Sequence, residues 1–307
     1  MSFASEAKKE IAAALPDKLC CRTAQIYGML QCAHAFGVDE ISLQTEQEEI
    51  ADVYDRLVSR ICSIPRPQRT TLRRRATLHH SSIPDPLHRK AVLEHFGHGE
   101  KELSLRLNRA NLDCDHCAVA YLRGAFLACG AVTDPERDYH LEFSLPRYHL
   151  SRDLLTLFRE VNFPAKSVKR GGNYVVYIKG SEAIEDCLTF LGATRASLEM
   201  MGVKMVKSIR NDTNRRINCE SANIDKTVNA AGNQLVALRF IEETCGLLAL
   251  PEDLQVVARL RLDNPDLSLR DLGALMDPPL SSSGVNHRLQ RILQFAEALK
   301  ADTSSTD

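Results

Sequence analysis

From Cys20 to Gly37 the apolar residues Ile26, Met29, Leu30 and Ala33 return at helical spacing with no Pro to interrupt them, which predicts a helix. Residues 41–46 alternate Ile41, Leu43 and Thr45 against Ser42, Gln44 and Glu46, the period of two of a strand with one wet face. A helix from about Gln47 to Cys62 follows, and Arg69 to His80 fits either a strand pair or a solvated basic loop. The order then recurs. VAYLRGAFLACGAV (119–132) reads as a helix, YHLEFSL as a strand and RDLLTLFREVNF as a helix. Two further strands, Ala165–Lys169 and Tyr174–Lys179, flank Gly171, Gly172 and Asn173, a hairpin signal. SEAIEDCLTFLG reads as a helix with Ser181 as its N-cap. Helix–strand–helix–strand–helix thus occurs twice, in copies of about 20–107 and 118–205, and predicts an α+β domain over 1–207.

Residues 208–222 are polar, with neither a long apolar period nor a strand alternation, and are expected to be a linker. The remainder, 223–307, reads as all-helical: about Ala222–Cys245, then Pro251–Asp263 with Pro251 in its first turn, then two short helices separated by DPPL.

The last pair, at about 267–299, forms a helix-turn-helix pattern. Ser268 and Asp271 make an S-x-x-D cap, and Leu269, Leu272, Leu275 and Met276 form one apolar stripe. Pro278 and Pro279 end the first helix, since neither donates a backbone hydrogen bond. Ser281 to Ser283 can cap the second, whose Val285, Leu289, Ile292 and Ala296 face inward. Its outer face then holds Asn286, His287, Arg288, Gln290 and Arg291, with no acid before Glu297. Asn and Gln can pair with adenine, Arg with guanine or phosphate, and Ser hydroxyls with phosphate. The candidate DNA contacts are these five residues together with Ser268, Arg270, Ser281, Ser282 and Ser283; the plainer alternative is a helix pair with a solvated polar face.

Composition bounds the rest. At 307 residues, 44% hydrophobic and 26% charged, the chain has room for about two ordinary cores. A formal charge of −1 gives no overall attraction to nucleic acid or anionic membrane, so electrostatic function must come from segregated charge. Seven acids and no Lys or Arg lie between Val38 and Asp55, whereas Arg66 to Lys90 carries seven bases against Asp85 alone. Lys166, Lys169, Arg170 and Lys179 add bases in the second copy's strands. Arg69, Arg73, Arg74, Arg75, Lys166, Lys169 and Arg170 are secondary candidate phosphate contacts. No signal peptide or membrane-length apolar run is present, so a soluble, cytoplasmic, nucleoid-associated protein with reduced cysteines is expected.

YLRGAFLACGAVTDPERDYHLEF, SLRDLGALMDPPLSSSGVNHRL, the early CCR and SIRNDTNRRINCESANIDKT resemble the WhiA family of bacterial DNA-binding regulators, over nearly the whole chain. The resemblance implies an N-terminal domain like the LAGLIDADG homing endonucleases, made of two pseudo-symmetric copies, and a helix-turn-helix similar to sigma-factor region 4. It also implies a transcriptional regulator of sporulation, or of cell division and chromosome segregation. Its partners would be double-stranded DNA and another transcription regulator or RNA polymerase, with no membrane or small-molecule substrate.

A homing endonuclease needs an acid at the end of each of two close-packed helices to hold divalent cations. Aligning LRGAFLACG on LAGLIDADG puts Cys129 at one such position and Ala33 at the other, and neither offers the oxygen that a hard cation requires. Asp134 and Asp39 lie beyond the helix ends. No enzymatic activity is expected; an endonuclease and a protein-binding adaptor are the alternatives. Gly124, Ala125, Ala128 and Gly130, with Gly28, Ala33 and Gly37, are expected to let the two helices approach closely. Cys114, His116 and Cys117 of DCDHC would need Cys20 or Cys21 to complete a zinc site. With no second C-x-x-C or H-x3-H, free thiols are expected and no metal or cofactor. Glycines without a G-x-G-x-x-G context give nucleotide binding no support.

Overall fold

The computed structural model describes residues 2–73, 77–99 and 104–304. Its first unit, Met1–Ile209, opens with α1 (Phe3–Ala13), whose first turn is capped by the Ser2 hydroxyl. One element order then runs twice. The first pass is α2 (Leu19–Gln31), β1 (Ala35–Phe36), β2 (Ile41–Thr45), α3 (Glu48–Ile61), β3 (Gln68–Arg73), β4 (Thr77–Ser82) and α4 (Pro86–His95). The second is α5 (Cys117–Cys129), β5 (Gly130–Val132), β6 (His140–Leu145), α6 (Tyr148–Glu160), β7 (Lys166–Arg170), β8 (Asn173–Lys179) and α7 (Ser181–Leu191). Each pass folds into a four-stranded antiparallel sheet of the same order, β1-β2-β4-β3 and β5-β6-β8-β7.

The duplication expected from the sequence is therefore present, with corrections. Of the two readings left open for Arg69 to His80, the described residues 69–73 and 77–80 show the strand pair. The short strands β1 and β5 and the helices α1 and α4 were not legible. The first central helix ends at Gln31, so Gly37 lies beyond it, and a Cβ added there would meet nothing within 4 Å. The β7–β8 turn is Gly171–Gly172, closed by the Arg170–Asn173 pair, and Gly171 takes the positive φ that such a turn needs. Ser181 does not cap α7: Gly180, at φ 94, holds the cap position and Ser181 is already helical.

The centre of the unit is the packing of α2 on α5. Every residue from Ala24 to Gln31 is buried, as a helix enclosed on all sides requires. A Cβ on Gly28 would lie 2.1 Å from the Tyr121 carbonyl oxygen, and one on Gly124 would lie 1.9 Å from that of Gln25. The reciprocity is that of a pseudo-twofold axis passing between two backbones in direct contact. Around it Tyr27, Tyr121, Met29, Leu30 and Phe126 are fully buried. At about 1.5–3 kcal/mol for each large apolar side chain, this seam is a major part of the unit's stability.

Polar groups at the seam are largely partnered. The Tyr121 hydroxyl donates to Gln31 Oε1 (2.7 Å), Gln31 Nε2 donates to the Arg106 carbonyl (2.8 Å), and the Tyr27 hydroxyl lies 2.9 Å from His98 Nε2. The first bond joins α5 to α2, and the other two tie the stretch between the two copies onto α2.

The helix α8 (Thr194–Thr244) spans the predicted linker. Residues 208–222, expected as a linker, are helical. The segment has no Gly or Pro and is exposed throughout, so backbone propensity holds a helix there without an apolar face. The second unit, Arg210–Asp307, continues with α9 (Glu252–Asp263), α10 (Leu269–Ala274) and α11 (Ser282–Ser304). At 23 residues α11 is longer than expected, and Pro251 is the N-cap of α9 rather than part of its first turn. Its core joins Leu238 and Ile241 of α8 to Leu254, Val257, Leu272, Val285, Leu289 and Ile292. The buried Arg261 donates to Gln234 Oε1 (3.0 Å) and the Leu267 carbonyl (2.7 Å), and burial pulls its pKa down.

Gly124→Ala is expected to cost about 3 kcal/mol, since the added methyl meets backbone that cannot move aside. Gly202→Ala, in open space on α8, should instead gain roughly 0.5–1 kcal/mol from helix propensity. Urea denaturation of the full chain checks both, and equal stabilities for the two variants would refute the close approach.

Candidate nucleic-acid interface

In the second unit the chain makes a helix-turn-helix through local chemistry that the sequence displays. Ser268 Oγ accepts from the Asp271 backbone N–H (3.2 Å) and its hydroxyl donates to Asp271 Oδ2 (2.7 Å), so the S-x-x-D cap forms reciprocally. The helix α10 ends at Ala274, before Pro278, and Leu280 N–H returns to the Gly273 carbonyl (2.9 Å). That return needs glycine: a Cβ at position 273 would sit 2.2 Å from the Leu280 oxygen. Ser281 then caps α11 by accepting from Gly284 N–H (3.2 Å).

Val285, Leu289, Ile292 and Ala296 are all buried, as their spacing predicts. Leu272 and Met276 are buried with them, whereas Leu275, expected in the same stripe, is 55% exposed because the helix has already ended at its C-cap position. At 100° per residue, the direction opposite the buried stripe is held by Ser283, His287, Gln290 and Gln294, with Asn286 beside them. All five are exposed. Gln294 was missed by the sequence reading, although the same periodicity could have found it. Ser282 and Arg270 are exposed as well, and Arg288 lies half-buried at the edge of the apolar stripe.

Arg291 is engaged. Its Nη1 meets Asp253 Oδ2 of α9 at 2.5 Å, with both side chains about two-fifths exposed. The acid-free face seen along α11 therefore receives a carboxylate from a neighbouring helix, which sequence order conceals. An ion pair this exposed contributes at most about 1 kcal/mol and can be exchanged for a phosphate.

In the first unit the basic residues divide. Arg69 is bound to α3, with Nε and Nη2 on Asp55 Oδ2 (3.0 and 2.5 Å) and Nη2 on Asp52 (2.8 Å). Burial pulls its pKa down, but hydrogen bonds to Asp52 and Asp55 outweigh that and the net shift is upward. The acidic segment and the basic segment that follow one another in sequence thus neutralise each other here, and Arg69 does not stand as a free phosphate contact. Arg170 reaches Glu142 at 3.1 Å, and Lys169 lies over the Tyr174 ring. Arg73 and Lys166 are exposed on the edge strands β3 and β7. Arg74 and Arg75 lie outside the described residues.

Where a LAGLIDADG enzyme carries its acids, α5 ends in Cys129 and α2 is followed by Cys32 and Ala33. The hydrogen bond that Cys32 donates to Cys129, together with complete burial, pushes the Cys32 thiol well up, so it stays protonated. Lys8 of α1 donates to the Leu127 carbonyl (3.2 Å) at the end of α5 and sits over Phe126. Burial pulls the pKa of this lysine down, and its Nζ stands at the negative end of that helix. Asp134 accepts from Glu136 N–H (2.9 Å) in a turn, and Asp39 is exposed beyond α2. At the opposite, N-terminal ends of α2 and α5, Cys20, Cys21, Cys114 and Cys117 come together, with sulfurs all within 4.8 Å of one another, while His116 is exposed and outside the group.

Among the described residues no helix is long and apolar enough to cross a membrane.

Gly273→Ala is expected to destabilise the second unit by roughly 2–3 kcal/mol through its clash with Leu280, against about 1 kcal/mol for loss of the cap in Ser268→Ala. Hydrogen exchange of the amides of α10 and α11 reads both effects, and unchanged protection in Gly273→Ala would refute the turn.

Comparison with known proteins accords with this geometry. The family description "WhiA C-terminal HTH domain" matches residues 213–296, and "WhiA LAGLIDADG-like domain" matches residues 118–210. A protein of Caldicellulosiruptor saccharolyticus called probable cell division protein WhiA is 36% identical over 313 residues, covering 98% of this chain and 96% of its own. A protein of the same name from Clostridium botulinum (strain Hall) is 44% identical over 198 residues, 64% of this chain and 63% of its own length. The crystal structure of full-length WhiA from Thermotoga maritima superposes with a TM-score of 0.60 over 97% of this chain and 99% of that one, at 24% identity, a likeness of fold. With both domains matched, and 36% identity to one relative over nearly all of its length, this chain belongs to the WhiA family, a LAGLIDADG-like fold joined to a C-terminal helix-turn-helix domain.

Proposed function

We propose that this protein is a sequence-specific, DNA-binding transcriptional regulator, not a nuclease, and that it acts in cell division. The observation that carries this reading is the outer face of α11. Ser283, Asn286, His287 and Gln290 present hydrogen-bonding side chains on the first turns of a helix whose opposite face is fully spent on the core. That is the arrangement by which a recognition helix enters a major groove N-terminus first. Asn and Gln can make paired bonds to adenine there, and Arg288 and Arg291, on the flanks of the face, are placed for guanine or phosphate. Ser268, Arg270, Ser281 and Ser282, at the starts of α10 and α11, are the supporting backbone contacts.

The name of the relatives, probable cell division protein WhiA, supports the cellular role. Sporulation and chromosome segregation are finer readings of the same regulation, and location on the nucleoid follows from DNA binding. The non-catalytic assignment rests on Cys129 and Ala33 at the positions of the nuclease acids and on Lys8 at the end of α5. The edge strands β3 and β7 keep Arg73 and Lys166 as exposed bases, a supplementary phosphate surface on this reading.

Gel retardation of the full chain on its selected site tests the proposal. Asn286→Ala and Gln290→Ala should each weaken specific binding by about 1–3 kcal/mol and relax preference at one base pair. Arg291→Ala should flatten the salt dependence by about one counterion, while Asp253→Asn, which frees Arg291, should tighten binding. Specific affinity undiminished in the Asn286→Ala/Gln290→Ala double variant would remove α11 as the reader. Plasmid cleavage with Mg²⁺ or Mn²⁺ would overturn the non-catalytic assignment.

A further inference from the structure

The two central helices start as well as end at cysteines. Cys20 and Cys21 lie in the first turn of α2, Cys117 is the first residue of α5, and Cys114 sits in the turn before it. The Cys114 sulfur is 3.7 Å from that of Cys20, 3.6 Å from that of Cys21 and 3.5 Å from that of Cys117. A tetrahedron with zinc–sulfur bonds of about 2.3 Å has edges of about 3.8 Å, close to these spacings. A disulfide would hold two sulfurs at about 2.0 Å, well below any of them. Four thiols this close surround one ion, whereas a multi-iron cluster spreads its thiolates over separate irons. Among the described residues this is the group of potential ligands that could share one ion.

Two helix N-termini meet at the cluster. Neither Lys18 before α2 nor His116 before α5 caps its helix with a side chain, so both positive helix ends remain available to negative sulfur. Cys114 N–H also points to Cys117 Sγ, 3.5 Å away. Cys21 and Cys117 are related by the same offset as Gly28 and Gly124, which puts the cluster on the pseudo-twofold axis, with Cys20 and Cys114 completing it. Cys21 and Cys117 are buried and the other two half-buried, as in a closed site that leaves no position for substrate.

We propose that Cys20, Cys21, Cys114 and Cys117 bind one zinc ion as four thiolates, in a structural site that fastens the N-terminal ends of α2 and α5. Each thiol gives up its proton to solvent as the ion binds, and no electron moves. The second cysteine pair that DCDHC lacks in sequence comes from the other copy, 93 positions from Cys114 in the case of Cys21. Zinc stands above ferrous iron in affinity for such a site. The metal of this fold would thus sit at the opposite ends of the central helices from the carboxylate-held ions of a nuclease.

The test uses the full chain, without a histidine tag, purified in metal-free buffer. Mass-spectrometric metal analysis should find about one zinc per chain, released by mercurial modification of the thiols. The Cys114→Ser/Cys117→Ser double variant should hold at least about tenfold less, and Cys219→Ser, an exposed cysteine of α8, should keep it all. Cobalt reconstitution of the wild type should give the intense visible bands and sulfur charge-transfer absorption of a tetrahedral tetrathiolate, a readout that stands if the double variant does not fold. Wild-type protein free of zinc, iron in its place, zinc retained by the double variant, or weak octahedral cobalt bands would each overturn the proposal.

Discussion

Two glycine contacts set the architecture. Because Gly28 meets the backbone of α5 and Gly124 meets that of α2, the central helices approach to a distance that no side chain permits. That fixes the pseudo-twofold axis, and the rest of the N-terminal unit follows from it. Each helix buries its outer side against its own sheet, and the sheets take the same strand order. The stretch between the copies is held down by Gln31, which donates to the Arg106 carbonyl, and by Tyr27, whose hydroxyl accepts from Asn108 N–H. In a nuclease such an approach also serves to bring two carboxylates together. Here the geometry persists while the helix ends carry thiols, a methyl group and the Lys8 side chain. The two helices keep that close packing with Cys129 and Ala33, not carboxylates, at their ends.

The C-terminal unit divides its labour differently. A buried stripe on α11 and the cap-and-turn contacts around Ser268, Gly273 and Ser281 hold the helix pair. On the opposite side Ser283, Asn286, His287, Gln290 and Gln294 are exposed, and Arg291 pairs with Asp253. Polar side chains with no role in folding, at the start of a helix that projects from a tight turn, are what a groove-reading surface requires.

The sequence disclosed periodic features well and non-local ones poorly. The duplication, the buried stripe of α11, the Ser268–Asp271 cap and the β7–β8 hairpin were legible, because each follows from neighbours in the chain or from a period. Three kinds of fact were not. The helix over 208–222 has no apolar stripe to announce it. The pairing of Arg69 with Asp52 and Asp55, and of Arg291 with Asp253, depends on which element packs on which. The assembly of four cysteines crosses the axis between the copies, so DCDHC looked one ligand short when its partners lay far upstream. Leu275 fitted the helical period but fell past the helix end.

The most direct measurement of the account is hydrogen-exchange mass spectrometry of the full chain with and without its selected duplex. The account predicts DNA-dependent protection concentrated at the start of α11, from Ser281 through Gln294, with the helical ends of α2 and α5 unchanged. Protection absent from α11 while the duplex is demonstrably bound would contradict it.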